Sequence, residues 1–212
     1  MKAILALLCV ASTAAAAPKP ASHYAPLFEK GKKLVYELSL TSFDVVEGKD
    51  GKYHSKKMKP ERSTFTCTVT NTATFAEMTV SAVSCDREID SDYAVRPDGL
   101  WVATKAGVWR AGSTGDTFPT SAADIEMVAA PAMRARPIVT KKTTKDAYGG
   151  YYTESVTSPR KGTWCTTSDT TTAGVGDGAI ETLCFTAGAG ITRGMLDYYG
   201  GIPRVVEYKL KR

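Results

Sequence analysis

Apolar and polar residues alternate along most of this chain, and a period of two is typical of β-strands with one buried face. In KLVYELSLTSFDVV, residues 33–46, Leu34, Tyr36 and Leu38 fall on one side and mostly polar residues on the other. The alternation returns in STFTCTVT, MTVSAVSC, GLWVA, GVWRA, YYTESVT, GTWCTT, IETLCFTA and RVVEYKLKR. Turn signals such as the Pro-Asp-Gly triplet at 97–99 separate these segments. The pattern predicts a mainly β fold, with an antiparallel sheet that curves over a core or forms a partly open barrel.

Three segments depart from this pattern. Residues 121–130, SAADIEMVAA, predict one short helix, because Ser121 suits an N-cap, acidic residues follow it and Pro131 ends the run. Residues 47–62 are rich in glycine and lysine and predict a loop between strands. The lysine- and threonine-rich run 141–145 predicts a linker or a long loop.

The start of the chain has the layout of a secretory signal peptide over residues 1–16. Lys2 gives a positive start, an apolar stretch containing Cys9 follows, and small residues lead to a cleavage site after Ala16. The expected mature chain, residues 17–212, is a single β-rich domain with a flexible N-terminal arm to about residue 30. We expect a periplasmic or secreted protein. No later stretch reaches the roughly 18–20 apolar residues of a membrane helix, so we expect no membrane span.

The four remaining cysteines predict two disulfide-closed hairpins. An even number of cysteines in an exported chain is typical of disulfides. If Cys165 pairs with Cys184, the hairpin midpoint falls in the glycine-rich TAGVGDG turn, and if Cys67 pairs with Cys85, it falls at Ala76. In both hairpins the cysteines then lie directly opposite each other, at a separation that suits a bond. The crossed pairings lack this agreement, so local pairing is favoured.

The basic residues are concentrated in one stretch. The formal net charge is +5, and a mild excess in an exported chain does not indicate a nucleic-acid partner. The run GKDGKYHSKKMKPER, residues 48–62, is typical of a solvated loop. The alternative is a contact with anionic lipid headgroups, a polysaccharide or an envelope protein. The cations that would make this contact are Lys49, Lys52, Lys56, Lys57, Lys59 and Arg62.

Residues suited to catalysis or metal binding are sparse. The two histidines, His23 and His54, fall in the predicted arm and the predicted loop, and the cysteines lack the paired spacing of zinc sites. The glycine runs GVGDG and GAGITRG lack the Lys-Ser/Thr ending of a phosphate loop and the βαβ context of a dinucleotide site. We therefore expect a protein that is not an enzyme, with no catalytic residue, no metal and no cofactor.

The large aromatic residues have two interpretations. Most aromatic side chains build a core, but the concave face of a curved sheet can also hold an apolar small molecule or lipid, with aromatic residues lining the site. The candidate ligand-binding residues are Trp101, Trp109, Trp164, Phe185, Tyr198 and Tyr199.

The stretch at 164–210, WCTTSDTTTAGVGDGAIETLCFTAGAGITRGMLDYYGGIPRVVEYKL, resembles the closing strands of a group of uncharacterised exported β-rich proteins of Gram-negative bacteria. The resemblance rests on a Trp-Cys strand, a Cys-Phe-x-x-Gly-x-Gly strand and a final strand of the Arg-x-x-x-Tyr type. The expected curved sheet is also similar, at the level of fold, to envelope lipoprotein carriers of the LolA/LolB type. We expect a non-enzymatic exported domain that binds an apolar ligand or a cell-envelope partner. The alternative is a structural or adhesive secreted module with a fully packed sheet.

Overall fold

The computed structural model describes residues 23–87, 96–105, 107–113, 117–127, 133–134, 141–145, 151–171, 177–200 and 203–211. Within these ranges the chain forms β-strands and two short 3-10 turns, Ala25–Phe28 and Ala122–Asp124. The strands are β1 (Lys33–Glu47), β2 (Tyr53–Lys57), β3 (Glu61–Phe75), β4 (Met78–Cys85), β5 (Gly99–Thr104), β6 (Gly107–Ser113), β7 (Ile125–Met127), β8 (Met133–Arg134), β9 (Lys141–Lys145), β10 (Tyr151–Arg160), β11 (Thr163–Thr171), β12 (Gly178–Thr186), β13 (Gly190–Tyr198) and β14 (Arg204–Leu210).

The strands form one antiparallel sheet, which confirms the predicted fold class. Its order is β7-β6-β5-β4-β3-β1-β14-β13-β12-β11-β10-β9, with β2 paired to β1 and β8 paired to β6. Each half of the chain is a meander, and the pairing of β1 with β14 joins the halves. Because β7 and β9 end the order, the sheet is not closed into a barrel.

Two aromatic rings show how strongly the sheet curves. Trp101 on β5 and Phe185 on β12 are separated by five strands in the sheet order. A flat sheet with a strand spacing of about 4.8 Å would place them about 29 Å apart. Their ring centroids are 6.3 Å apart. The sheet therefore curls over the face that carries these rings, which we call the inner face, and leaves an outer face on the other side.

The inner face carries the hydrophobic core. Tyr36, Phe65 and Tyr208, from the neighbouring strands β1, β3 and β14, form a cluster with centroid distances of 5.0, 5.1 and 5.5 Å. The Tyr36 hydroxyl donates a hydrogen bond to the carbonyl oxygen of Ile191 at 3.1 Å. The same core includes Leu34, Leu38, Val69, Val83, Trp101, Ala103, Val108, Leu183, Phe185, Leu196 and Val206. The alternation of apolar residues in β1 thus faces the core as the sequence predicts.

Residues 23–28, which we call the N-terminal plug, pack onto the inner face against β3, β4 and β13. Tyr24 is 2% exposed and Leu27 is fully buried. The Tyr24 ring lies 5.0 Å from that of Phe185. These residues belong to the predicted N-terminal arm, and the structure makes them part of the core.

Both disulfide hairpins form with the predicted pairing. Cys67 is bonded to Cys85 and Cys165 to Cys184, and the members of each pair lie directly opposite each other. A bulge after Val69 shifts the register of the first hairpin by one residue, so its turn falls at residues 76–77. Two disulfides indicate an oxidising compartment outside the cytosol.

The helix predicted over residues 121–130 is wrong for its described part, residues 121–127. The Asp124 carboxylate accepts hydrogen bonds from the backbone N–H groups of Thr120 and Ser121, at 2.9 and 2.8 Å. This cap starts only a single 3-10 turn, because Ile125 is already extended and begins β7, which pairs with β6. Residues 128–130 lie outside the described residues.

The two predicted loops contain strands. In residues 47–62, β2 pairs with β1 and β3 begins at Glu61. In residues 141–145, β9 pairs with β10. Every residue of β2 is exposed, so this strand has no buried face and no apolar alternation by which the sequence could reveal it.

Candidate functional site

The predicted ligand-binding aromatic residues do not form one site. Trp101 and Phe185 are 0% and 1% exposed and pack against each other in the core. Trp164 lies beside Phe185 at the edge of the same cluster. The cross-strand partner of Trp101 is Arg110, so Trp109, one residue earlier on β6, is on the outer face.

The two tyrosines lie at the far end of β13 and make separate contacts. The guanidinium of Arg204 lies 5.7 Å from the centre of the Tyr198 ring. The Tyr199 hydroxyl donates a hydrogen bond to Asp169 at 2.8 Å and is 2.8 Å from the Thr171 hydroxyl. Tyr198 also packs against the edge of the hydrophobic core, and Tyr199 lies just beyond the end of β13.

The plug occupies the inner face where the aromatic residues are closest together. The Tyr24 ring lies 5.0 Å from Phe185 and 6.2 Å from Trp164, edge-on to both. His23 stacks on Trp164 with a centroid distance of 3.9 Å. Burial lowers the pKa of His23, against the opposing effect of a backbone hydrogen bond with Gly162. An apolar ligand would reach these rings only by displacing the plug.

A cluster of charges beside Trp101 was missed from the sequence. The guanidinium of Arg110 lies 5.1 Å from the Trp101 ring centre and donates to the carbonyl oxygen of Asp98. Arg96 donates two hydrogen bonds to the Asp98 carboxylate, at 3.0 and 2.5 Å. Burial lowers the pKa of Arg110, and the charge of Asp98 opposes this effect. The two-residue turn of the β5–β6 hairpin sets Arg110 opposite Trp101, and this turn is the sequence feature from which the contact could have been predicted. The paired charges suit a structural role.

The feature that stands apart from the packed sheet is the end of the β1–β2 hairpin, residues 43–59, which we call the distal hairpin. β14 pairs with β1 only as far as Ser42, so beyond this residue β1 has β2 as its neighbour. Pro60, which has no N–H to donate, separates β2 from β3. The turn is ordered by hydrogen bonds from the Gly48 N–H to the Lys52 carbonyl, at 2.7 Å, and from the Gly51 N–H to the Gly48 carbonyl, at 3.0 Å.

Exposed apolar side chains are concentrated on the distal hairpin. Among the described residues, five large hydrophobic side chains are exposed, and four of them lie here: Val45 at 65%, Val46 at 37%, Tyr53 at 73% and Met58 at 38%. The fifth is Val35, lower on β1. In the register of the hairpin, Val45 and Tyr53 share one face, and Val46 is on the other. We call the face with Val45 and Tyr53 the apolar patch; contiguous exposed apolar surface is typical of contact sites.

Lysines surround this patch. Residues 43–59 contain five lysines and three carboxylates. Lys49 and Lys52 lie in the turn, Lys56 and Lys57 on β2, and Lys59 follows them. The predicted cationic set is therefore brought together on the hairpin except for its sixth member, Arg62, which lies at the start of β3.

Two further findings concern metals and membranes. In the described part of the chain, no group of three or more histidine, cysteine or acidic side chains is placed to hold a metal ion. No helix among the described residues has the length and apolar character to cross a membrane.

No known protein family, curated protein or solved structure matches this chain.

Proposed function

We propose that this chain is an exported, non-enzymatic β domain that binds the anionic lipid surface of the cell envelope through its distal hairpin. The observation that carries the proposal is that four of the five exposed large hydrophobic side chains in the described residues lie on this hairpin. Export is supported by the two disulfides and by the signal-peptide pattern of residues 1–16.

The chemistry of the hairpin suits the boundary between headgroups and acyl chains. Transfer of apolar side chains such as Val45 and Tyr53 out of water lowers the free energy by about 25 cal/mol per Å² of buried apolar area. The lysine ammonium groups remain among the phosphates while their stems lie along the apolar layer. Each lysine near an anionic surface contributes about 1 kcal/mol. Because the hairpin extends past the last pair of β1 with β14, it can enter this boundary without disturbing the core.

The packed inner face favours an external surface over an internal ligand. Trp101 and Phe185 have almost no accessible surface, and Tyr24 of the plug covers the Phe185 ring. A structural module with a fully packed sheet would share this interior. It would not need an apolar patch surrounded by lysines, so vesicle binding separates the two functions.

The first experiment measures sedimentation of the mature chain with lipid vesicles. We expect binding to vesicles of phosphatidylcholine mixed with phosphatidylglycerol, weakening with added salt, and little binding to phosphatidylcholine alone. The quadruple variant Lys49→Gln, Lys52→Gln, Lys56→Gln and Lys57→Gln should lower the partition coefficient by more than about tenfold. The matched control removes the same charge from exposed lysines elsewhere: Lys30→Gln, Lys105→Gln, Lys161→Gln and Lys211→Gln.

A second pair of variants tests the apolar part of the contact. Val45→Ser combined with Tyr53→Ser should weaken binding at every salt concentration, whereas Val35→Ser, an exposed valine outside the hairpin, should leave it unchanged. Equal losses in the lysine variant and its control would show that net charge alone drives binding, and would overturn the proposed site. Absence of binding by the unaltered chain would overturn the lipid partner itself.

A further inference from the structure

A second surface with its own chemistry lies on the outer face, over the Cys165–Cys184 disulfide. It is a groove of about 460 Å³ between the ends of β10–β14. The disulfide, Pro159, Ala189 and Leu210 make it partly apolar. Among the described residues that line the groove there are three cations, Arg160, Arg193 and Lys209, and no carboxylate. A neighbouring groove of about 530 Å³ shares Lys209 but includes Glu37 and Glu207, so the charge bias belongs to the first groove.

Threonine hydroxyls form a directed chain along this groove. Arg160 Nε donates to Thr163 Oγ1 at 3.0 Å. Thr163 and Thr186, and Thr186 and Thr192, are joined by hydroxyl contacts of 3.0 Å each. Thr192 Oγ1 donates to the Cys184 carbonyl at 3.4 Å. Because the last hydroxyl donates to a carbonyl, the hydrogens all run toward Cys184, and each hydroxyl keeps a lone pair for an outside donor.

The cations of the groove retain unused hydrogen-bond donors, which suit an anionic ligand. Arg193 Nε and Lys209 Nζ both contact one oxygen of Glu207, at 2.8 and 3.2 Å. Burial acts to raise the pKa of Glu207, but the hydrogen bond from Lys209 and the charge of Arg193 outweigh it and hold this pKa below its usual value. A guanidinium has five N–H donors and an ammonium three, so one shared carboxylate does not use them all. With Arg160, the groove carries three positive charges beside one negative charge.

We propose that this groove binds an acidic saccharide. The ligand would place its carboxylate among Arg160, Arg193 and Lys209. Its hydroxyl groups would donate to the free lone pairs of Thr186 and Thr192, and its C–H face would lie on the disulfide and Pro159. A neutral sugar lacks the charge, and a bare anion lacks the hydroxyl donors. The site is separate from the distal hairpin and stands independently of the proposed function.

Calorimetric titration of the mature chain with digalacturonic acid tests the proposal. We expect saturable binding that falls by about tenfold or more in the double variant Arg160→Gln and Lys209→Gln, because two charge-assisted contacts are lost. Lys30→Gln combined with Lys105→Gln removes the same charge outside the groove and should leave the affinity unchanged. Lys209→Arg, which keeps the charge, should retain most of the binding. Circular dichroism and thermal unfolding confirm that each variant is folded.

Two further arms separate the saccharide from simple charge attraction. The neutral disaccharide galactobiose should bind about tenfold more weakly or not at all. Thr192→Val removes one hydroxyl with little change in shape and should weaken the binding of digalacturonic acid but not the binding of sulfate, an anion without hydroxyl donors. If sulfate binds as tightly as digalacturonic acid, or if the groove variant and its control behave alike, the proposed site is wrong.

Discussion

Replacing Gly194 by alanine tests whether the inner face is packed as tightly as the structure indicates. Gly194 on β13 lies directly opposite Tyr208 on β14, and a Cβ at this position would overlap the Tyr208 ring and hydroxyl. Tyr208 is 1% exposed and touches Tyr36 and Phe65, so it cannot move without disturbing that cluster. The backbone of Gly194 is not in the left-handed region, so alanine adds no backbone strain.

The expected loss follows from two opposing effects. Gly→Ala at a compatible backbone position stabilises a protein by about 0.4–1 kcal/mol. Inserting a methyl group into a filled core costs about 1–3 kcal/mol, and more where backbone and ring both resist movement. We expect Gly194→Ala to lower the free energy of unfolding by about 1–2.5 kcal/mol, which lowers Tm by about 2–10 °C in a domain of this size.

Urea unfolding followed by tryptophan fluorescence measures this loss. Gly112→Ala on β6 is the matched control, because the nearest atom to its Cβ would be 3.7 Å away, and it should leave stability unchanged or raise it by up to about 1 kcal/mol. The measurement is repeated in a Tyr208→Leu background, where the cost of Gly194→Ala should fall below half. An unchanged cost in that background, or equal stability of the two alanine variants, would refute the packing of Tyr208 on Gly194.

Three further predictions concern single side chains. Tyr36→Phe removes the buried hydrogen bond to the Ile191 carbonyl and should cost about 1–2 kcal/mol; an unchanged urea midpoint would contradict that bond. Burial lowers the pKa of His23 in the folded state. As the pH falls below about 6.5, His23 is therefore protonated in the unfolded chain before it is protonated in the folded one. The free energy of unfolding should decline from there down to the folded-state pKa. His23→Phe should remove this decline and His54→Gln should keep it; the reverse would place the effect elsewhere. The pKa of Glu207 is lowered in the folded state. Its contribution to the free energy of unfolding is therefore present above about pH 4.3 and is lost as the pH falls through its folded-state pKa. Glu207→Gln should flatten stability against pH in that acidic window, and an identical curve would argue against its ion pairs.

The sequence was sufficient to predict a strand and its register where the strand has one buried face or a disulfide-bonded partner. Leu34, Tyr36 and Leu38 alternate as expected because one side of β1 faces the core. Cysteine spacing predicted which residues are opposed at both disulfides, although a bulge after Val69 shifts the rest of the first hairpin by one residue. Local periodicity and turn geometry determine these features, so neither depends on knowing the rest of the sheet.

The rest depended on contacts between residues far apart in sequence. Alternation predicts on which face of its strand Trp101 or Phe185 lies. Only the curl of the whole sheet brings β5 against β12. Both faces of β2 are exposed, so the sequence predicts a loop over residues 47–62, where the second half of the distal hairpin forms. The opposite faces of Trp101 and Trp109 could have been found from the sequence, since a two-residue turn between β5 and β6 places them out of phase.

The central claim, that the distal hairpin enters an anionic lipid surface, is tested most directly by fluorescence quenching with phosphatidylglycerol brominated in its acyl chains. A tryptophan is introduced by Tyr53→Trp on the hairpin, or by Val35→Trp as an exposed control on β1. The emission that Tyr53→Trp adds to that of the unaltered chain should shift to the blue and be quenched by the brominated lipid, while that added by Val35→Trp should be unaffected. Unquenched emission from Tyr53→Trp in a chain that sediments with the vesicles would contradict the account.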